Sequence, residues 1–273
     1  MNIAIDIGSF KTTAAVFDEH NKIVDKIHFP TDKDFENFRI SLEKHVVRFL
    51  TIYEIDRGIV SISGLLDLSN NYLIKSFGLS WRNIPILYEL EKILKIPLSA
   101  ENNTYLATIY ESSVIPKNHN SLLYVSVSND ISYCFLGLKN ELQKNVSSGD
   151  DIMVQKNSGL IKWSELVSGK SVIQNYGSPI KEIDDNEFWK KYSDNLAIGL
   201  WQLNVSYQPD MIIIGGIVGK YYHKYEKYLK HSLDNFSLPA IKFPELIKAY
   251  KPLTNTLYGS MIYLSSSGKI NDK

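Results

Sequence analysis

The sequence lacks the residues that build covalently stapled or metal-held folds. Its 273 residues include one cysteine, Cys134, so no intrachain disulfide can form and no cluster of several thiolates can hold a metal. A surplus of one charge is missing as well: thirty Lys and Arg balance thirty Asp and Glu, which leaves no field to attract nucleic acid or an anionic membrane. No apolar run reaches the ~18 residues of a membrane span, and Met1 leads straight into Asn2-Ile3-Ala4-Ile5 without the basic, apolar and small-residue succession of an export signal. Fixed-period repeats and low-complexity tracts are absent too. A globular protein of a reducing cytoplasm is expected, with neither nucleic acid nor membrane as partner. What is present, 44% hydrophobic residues over this length, is enough to bury one large core or two ordinary ones.

The periodicity predicts alternating strands and helices. Ile3 to Gly8, Thr12 to Phe17 and Ile23 to Phe29 read as a three-strand meander. Phe35, Phe38, Leu42, Val46 and Phe49 then mark one face of a helix that Asp32 or Asp34 can cap. A strand at Gly58 to Ser63, a helix at Ile84 to Leu94, a strand at Ile96 to Ala100 and a helix at Asn103 to Ser112 follow, before a linker from Ser113 to Asn120. The second half repeats the outline: a meander at Leu122 to Val127, Ile131 to Leu138 and Glu141 to Val146, a helix from about Asn186 to Tyr207, a strand at Met211 to Ile214, and a helix from Gly215-Gly216 through Leu233. A last amphipathic stretch runs from Leu253 to Leu264. The duplication predicts two similar α/β lobes with mixed sheets.

Three anchors carry a family resemblance: Asp6-Ile7-Gly8-Ser9-Phe10-Lys11 in the first turn, Ala100-Glu101-Asn102-Asn103 before a helix, and Met211-Ile212-Ile213-Ile214-Gly215-Gly216 late in the chain. Between them, Ser63-Gly64-Leu65-Leu66-Asp67 looks like a P-G-x-x-D turn, and Phe77 to Pro85 looks like an asparagine-leucine-x-tryptophan approach to a sugar. In order and spacing the sequence resembles the ROK (repressor, ORF, kinase) family of sugar kinases and related repressors. The resemblance implies a two-lobed actin-like, hexokinase-like (ribonuclease H-like) α/β fold, with ATP and a hexose bound in a cleft. The implied lobes are residues 1–115, rejoined by a C-terminal helix at about 253–273, and residues 116–252. The repressor branch needs DNA-binding helices ahead of the first strand, where this sequence has only Met1 and Asn2.

Residue by residue, the resemblance implies nucleotide contacts at Asp6, Gly8, Lys11, Asp130, Gly215 and Gly216, with Asp6 placing Mg²⁺. It implies sugar contacts at Gly64, Asn102, Asp150, Asp151 and Glu165. The family pattern E-N-D puts its catalytic aspartate where this chain has Asn103, and an amide cannot take the proton of an attacking hydroxyl. Strand-to-helix junctions also favour asparagine as a cap, so Asn102 or Asn103 has that role open to it. In place of G-T-G-x-G the chain carries Ser128-Asn129-Asp130-Ile131-Ser132, a glycine-free stretch with a carboxylate that repels phosphate, which a plain hairpin turn explains equally. The family's G-E-x-G-H has become Gly149-Asp150-Asp151-Ile152-Met153, no histidine lies between Asn120 and Tyr222, and no cysteine lies between Gln155 and Trp163, so no zinc of the thiolate kind is expected. Aligned on Ser168-Gly169, the family's sugar-binding glutamate falls on Ser164, with Glu165 about 100° around a helix. Trp163 and Leu166 are expected to pack, and Tyr221, Tyr222, Tyr225 and Tyr228 fit packing or a subunit contact, leaving a homodimer open.

The expected function is a sugar-kinase homologue that has lost efficient phosphoryl transfer and keeps sugar or nucleotide binding as a sensor or interaction subunit. The alternative is an active ATP-dependent kinase of hexoses or N-acetylhexosamines, using Mg-ATP, in which Asp130, Asp150 or Asp151 supplies the carboxylate.

Overall fold

Strands β1 (Asn2–Ile7), β4 (Arg57–Ile62) and β14 (Met211–Gly215) are apolar on both faces because each is central in a sheet covered from two sides. The computed structural model describes residues 1–116, 118–138, 143–156, 159–236 and 241–267. The chain divides into two units: residues 1–113 with the C-terminal segment from Thr254 onward, and Val114–Leu253. No helix among the described residues is long and apolar enough to cross a membrane.

In the first unit, β1, β2 (Lys11–Phe17) and β3 (Ile23–Pro30) form the antiparallel meander; α1 (Phe35–Ile52) leads to β4. A three-stranded sheet, β5 (Gly64–Asp67), β6 (Tyr72–Ser76) and β7 (Arg82–Ile84), precedes α2 (Ile86–Leu94), β8 (Leu98–Asn102) and α3 (Asn103–Val114). The main sheet has the order β3-β2-β1-β4-β8, with β1, β4 and β8 parallel. Alternation along β1 sends Ile3, Ile5 and Ile7 to a core with Phe38, Leu42 and Leu90, under α1 and α2, and Ala4 to a smaller core on the opposite face. That smaller core is filled by Leu106 of α3 and by Leu257, Met261 and Leu264 of the last helix. Asp34 is the cap of α1, accepting from the Asn37 amide at 3.0 Å.

The second unit repeats the plan. Its strands β9 (Ser121–Val127), β10 (Ile131–Gly137) and β11 (Lys144–Ser148) form the meander; β12 (Met153–Lys156) and β13 (Gly159–Lys162) make a hairpin. Then come α4 (Ser164–Val167), α5 (Gly169–Tyr176), α6 (Asn186–Tyr207), β14, α7 (Gly216–Lys220), α8 (Tyr222–Asp234) and β15 (Glu245–Lys248), while α9 (Asn255–Ser267) returns to the first unit. The sheet order β11-β10-β9-β14-β15 matches the first sheet strand for strand, with the same pattern of parallel and antiparallel neighbours. Trp163 is fully buried in its core and donates from Nε1 to the Asn195 carbonyl at 3.0 Å; Tyr222 and Tyr225 are buried there as well.

Several elements differ from the sequence reading. The strand expected at Ile96 to Ala100 runs Leu98–Asn102, because Lys95 ends α2 in a left-handed conformation and Pro97 lies in the connection. Helix α2 starts at Ile86, since Ile84 precedes a proline and belongs to β7. The helix expected through Leu233 breaks at Tyr221 into α7 and α8. Of the strand expected at Glu141 to Val146, residues 141 and 142 lie outside the described residues, and the observed strand continues to Ser148. The small sheet β5 to β7, the β12–β13 hairpin, α5 and β15 were not predicted.

Candidate functional site

The parallel register of β1, β4 and β8 aligns their C-terminal ends: Asp6 pairs with Ser61, which pairs with Glu101, and Ile62 pairs with Asn102. In an open α/β sheet this end of parallel strands is where ligands are held. Ser61 Oγ donates to Asp6 Oδ1 at 2.9 Å, and the Asn103 side-chain amide donates to the same carboxylate. Asp6 is half-buried by accessible surface, yet enough protein surrounds its carboxyl that desolvation dominates. Burial pushes its pKa up to about 6, against the downward pull of Ser61, the Lys11 charge and Asn103.

The two asparagines divide the open roles between them. Asn102, the last residue of β8, caps α3: its Oδ1 accepts from the Thr104 amide at 2.8 Å and the Tyr105 amide at 3.2 Å. Its Nδ2 donates to the Gly64 carbonyl at 2.8 Å, and its own amide donates to Glu101 Oε1 at 2.7 Å. Asn103 is the first helical residue, half-buried and facing Asp6, with Thr104 Oγ1 donating to its Oδ1 at 3.3 Å. The structure thus brings Asp6, Gly64, Asn102 and Asn103 together. Gly8 closes the β1–β2 turn by donating its amide to the Lys11 carbonyl at 3.1 Å, and Phe10, which stands in that turn, is exposed and holds the Thr31 amide with its carbonyl at 3.0 Å.

In the second unit, a cavity of about 420 Å³ gathers Asp130, Asp150 and Glu165 with Lys162, Lys170 and Ser168. Asp130 pairs with Lys170, and Asp150 accepts from Ser164 Oγ and lies 3.8 Å from Lys162. Ser164, where the alignment puts the family's glutamate, is therefore tied to Asp150, and Glu165 is exposed. Asp151 is turned to the backbone instead: its Oδ2 accepts from the Ser148 amide at 3.2 Å in a capping box.

The glycine-free loop is tied to the starts of α5 and α7. Ser128 Oγ accepts from the Ile217 amide at 3.1 Å, the Ser128 carbonyl accepts from the Gly169 amide at 2.6 Å, and the Asn129 carbonyl accepts from the Lys170 amide at 3.3 Å. Gly215 and Gly216 have structural reasons of their own. A Cβ on Gly215 would lie 1.9 Å from the Tyr124 hydroxyl; Gly216 has φ +73° and a Cβ there would lie 2.5 Å from the Val127 carbonyl. Sequence reasoning marked the Ser128 stretch but missed Ser61 and Lys170, each a polar residue beside a motif; a serine within the apolar run Gly58 to Ser63 was the available signal for the first.

These residues fit Mg-ATP poorly. Phosphate needs donors, and the amides and ammonium flanking the Ser128 to Asp130 loop are spent on the protein's own oxygens. Mg²⁺ needs oxygen ligands, and the side chain that faces Asp6 is the Asn103 amide, where an aspartate would have put a second carboxylate beside it. Among the described residues, no group of three His, Cys, Asp or Glu side chains is arranged to hold a metal.

Residues 2–132 match the ROK family. A fructokinase of Streptococcus mutans serotype c (strain ATCC 700610 / UA159) is 24% identical over 267 residues, covering 88% of each chain. Among solved structures, the ROK family glucokinase of Streptomyces griseus, in complex with glucose and AMPPNP, superposes with a TM-score of 0.80 at 16% identity over 96% of this chain and 98% of that one. The ROK family protein of Streptococcus pneumoniae TIGR4, in complex with sucrose, gives 0.77 at 17% identity over 98% and 99%. The doubled sheet order is thus the two-lobed actin-like, hexokinase-like fold of these kinases, and over residues 2–132 the chain is a divergent homologue of the ROK family.

Proposed function

We propose that this homologue binds a small sugar and has lost efficient phosphoryl transfer, serving as a sensor or an interaction subunit. The observation that carries this reading is the tied-down loop: Ser128 Oγ takes the Ile217 amide, and Asp130 takes Lys170, where a nucleotide phosphate would need both. Asn103 adds to it. General-base assistance is worth ~10²–10⁴ in rate, and an amide hydrogen-bonded to Asp6 can orient a hydroxyl without accepting its proton. The cavity around Asp150 and Glu165 keeps polar groups suited to sugar hydroxyls, and the Gly64–Asn102 bond holds the β5 and β8 ends in place at the other candidate contact.

A second reading, a working ATP-dependent sugar kinase with a rearranged site, is favoured by one observation. Asp130, Asp150 and Asp151 are each engaged locally, but Asp6 touches Asn103 and keeps its proton to about pH 6, within reach of acid–base work near neutrality. In that reading Asp6 replaces the missing base.

The deciding experiment incubates purified protein with Mg-ATP and a panel of hexoses and N-acetylhexosamines, alongside thermal-shift screens of sugars and of nucleotides separately. The proposal expects no turnover above background, a shift with at least one sugar, and none with ATP. Turnover at ordinary kinase rates of ~1–10³ per second would establish the second reading instead.

A further inference from the structure

We propose that the first unit carries a second carbohydrate-binding site, a pocket on the open edge of its sheet beside β8, in which Tyr72, Tyr88 and Tyr263 take the apolar faces of a sugar ring and Asn70, Glu91 and Ser99 take its hydroxyls. The pocket has a volume of about 630 Å³, within the range of ~300–1,000 Å³ that small-molecule sites occupy. Its three tyrosines come from β6, α2 and α9, so packing within one element does not account for their convergence. Tyr88 is 58% exposed and Tyr72 42% exposed, which leaves large amphipathic rings in water where a core residue would bury them.

The polar groups are held in advance. Asn70 Nδ2 donates to Asp67 Oδ2 at 2.8 Å and the Asn70 amide donates to Asp67 Oδ1 at 3.1 Å, fixing the arm at the β5–β6 turn. Glu91 Oε1 accepts from the Leu98 amide at 2.9 Å, which holds that carboxylate against the edge strand. Groups fixed before binding lose less entropy when a ligand arrives. The lining also selects the class of ligand. Glu91 is its one charged residue, and the nearby Lys92 ammonium is stacked on the Tyr88 ring at 4.2 Å, so an anionic phosphate ligand meets a carboxylate first. Aromatic faces interleaved with amide, carboxylate and hydroxyl groups suit a neutral ring that is apolar on its faces and polar at its rim.

This site is separate from the one built on Asp6 and Asn103. Gly64 and Asn102 stand at one end of β5 and β8, whereas the pocket borders the residues after Asp67, about 10 Å along β5, and Leu98 to Ala100 of β8, which stop about 7 Å short of Asn102 at ~3.3 Å per residue. Its occupancy does not depend on whether phosphoryl transfer survives.

The test is a titration of the full chain with glucose, fructose, N-acetylglucosamine, maltose and sucrose, followed by backbone amide NMR. The expected result at ~10 mM sugar is a saturable shift at Asn70, Tyr72 and Ser99, weakened about tenfold or more in Tyr88→Ala and in Tyr72→Ala and retained in Asn103→Ala. Both tyrosines are exposed, so their truncation leaves the core intact, and circular dichroism checks this. The proposal is overturned if none of the sugars shifts these amides, or if the shifts persist unchanged in the Tyr72→Ala, Tyr88→Ala double variant. It is equally overturned if the same amides respond to protein concentration alone, because a second copy of the chain then covers the pocket.

Discussion

Asn102 Nδ2 lies 2.8 Å from the carbonyl oxygen of Gly64, so one side chain ties the start of β5 to the end of β8 while its other amide atom caps α3. Both residues belong to the set that the family resemblance gives to sugar recognition. The bond orders that set before any ligand arrives, and it makes the junction a structural joint as well as a candidate contact.

Asn102→Ala removes the cap and the bridge together. The loss of one cap and one buried hydrogen bond predicts a destabilisation of about 1–3 kcal/mol, read as a lower midpoint in urea unfolding with an unchanged slope. Asn102→Asp keeps an oxygen for the Thr104 amide but loses the donor to Gly64, so it should fall between wild type and alanine.

Asp6 makes stability depend on pH in a defined direction. Its carboxyl holds a proton to about pH 6 when folded and releases it near 3.8 when unfolded, so the folded state binds more protons in between. The stability this residue confers is complete below the unfolded value and is lost as pH rises through the folded one. Above it, the charged, desolvated carboxylate weighs against the native state by on the order of 1–3 kcal/mol. Asp6→Asn should therefore raise the melting temperature at about pH 7.5 and change it little at about pH 4. An equal effect at both values would show that desolvation does not govern this carboxyl.

Asn103→Asp restores the family's residue but should not restore turnover. The new carboxylate faces Asp6, and like charges in contact raise one pKa further; the loop from Ser128 to Asp130 remains tied to α5 and α7. Steady-state assays with Mg-ATP and hexoses should stay at background. Recovery of ~10² or more from this single change would mean that ATP already docks productively.

Gly216→Ala tests whether the late glycines are there for the fold. With φ at +73° and a Cβ 2.5 Å from the Val127 carbonyl, the substitution should cost roughly 1–3 kcal/mol with no nucleotide present. Thermal unfolding of the ligand-free protein reads it directly, and a neutral result would hand those glycines back to a ligand.

The long elements were legible because their signals are periodic. The α1 stripe from Phe38 to Phe49 and the buried runs of β1 and β14 follow from helix and strand geometry alone. The small sheet β5 to β7 was not, because its strands are three to five residues long and Leu65, Tyr72 and Ile74 leave apolar side chains in water, which blurs the alternation. At the site, sequence placed Asn103 beside the chemistry but left the cap open between two neighbours. Only the register of β8, two residues later than its apolar run implied, decides that Asn102 caps and Asn103 faces Asp6. The anchoring of the Ser128 to Asp130 loop was invisible for a different reason: its partners, Gly169, Lys170 and Ile217, are distant in sequence, and no local pattern reports such a pairing.

The return of α9 to the first unit has a consequence for synthesis. Leu257, Met261 and Leu264 complete the core that Ala4, Phe17, Ile59 and Leu106 begin, and Asn255 Nδ2 donates to the buried carboxylate of Glu111 at 2.9 Å. As the chain emerges from the ribosome, β1, β2, β4 and α3 wait for α9, and the second unit between them is the part able to finish sooner. A nascent chain stalled before Thr254 would expose the apolar face of its opening sheet to chaperones, even with its second sheet fully paired.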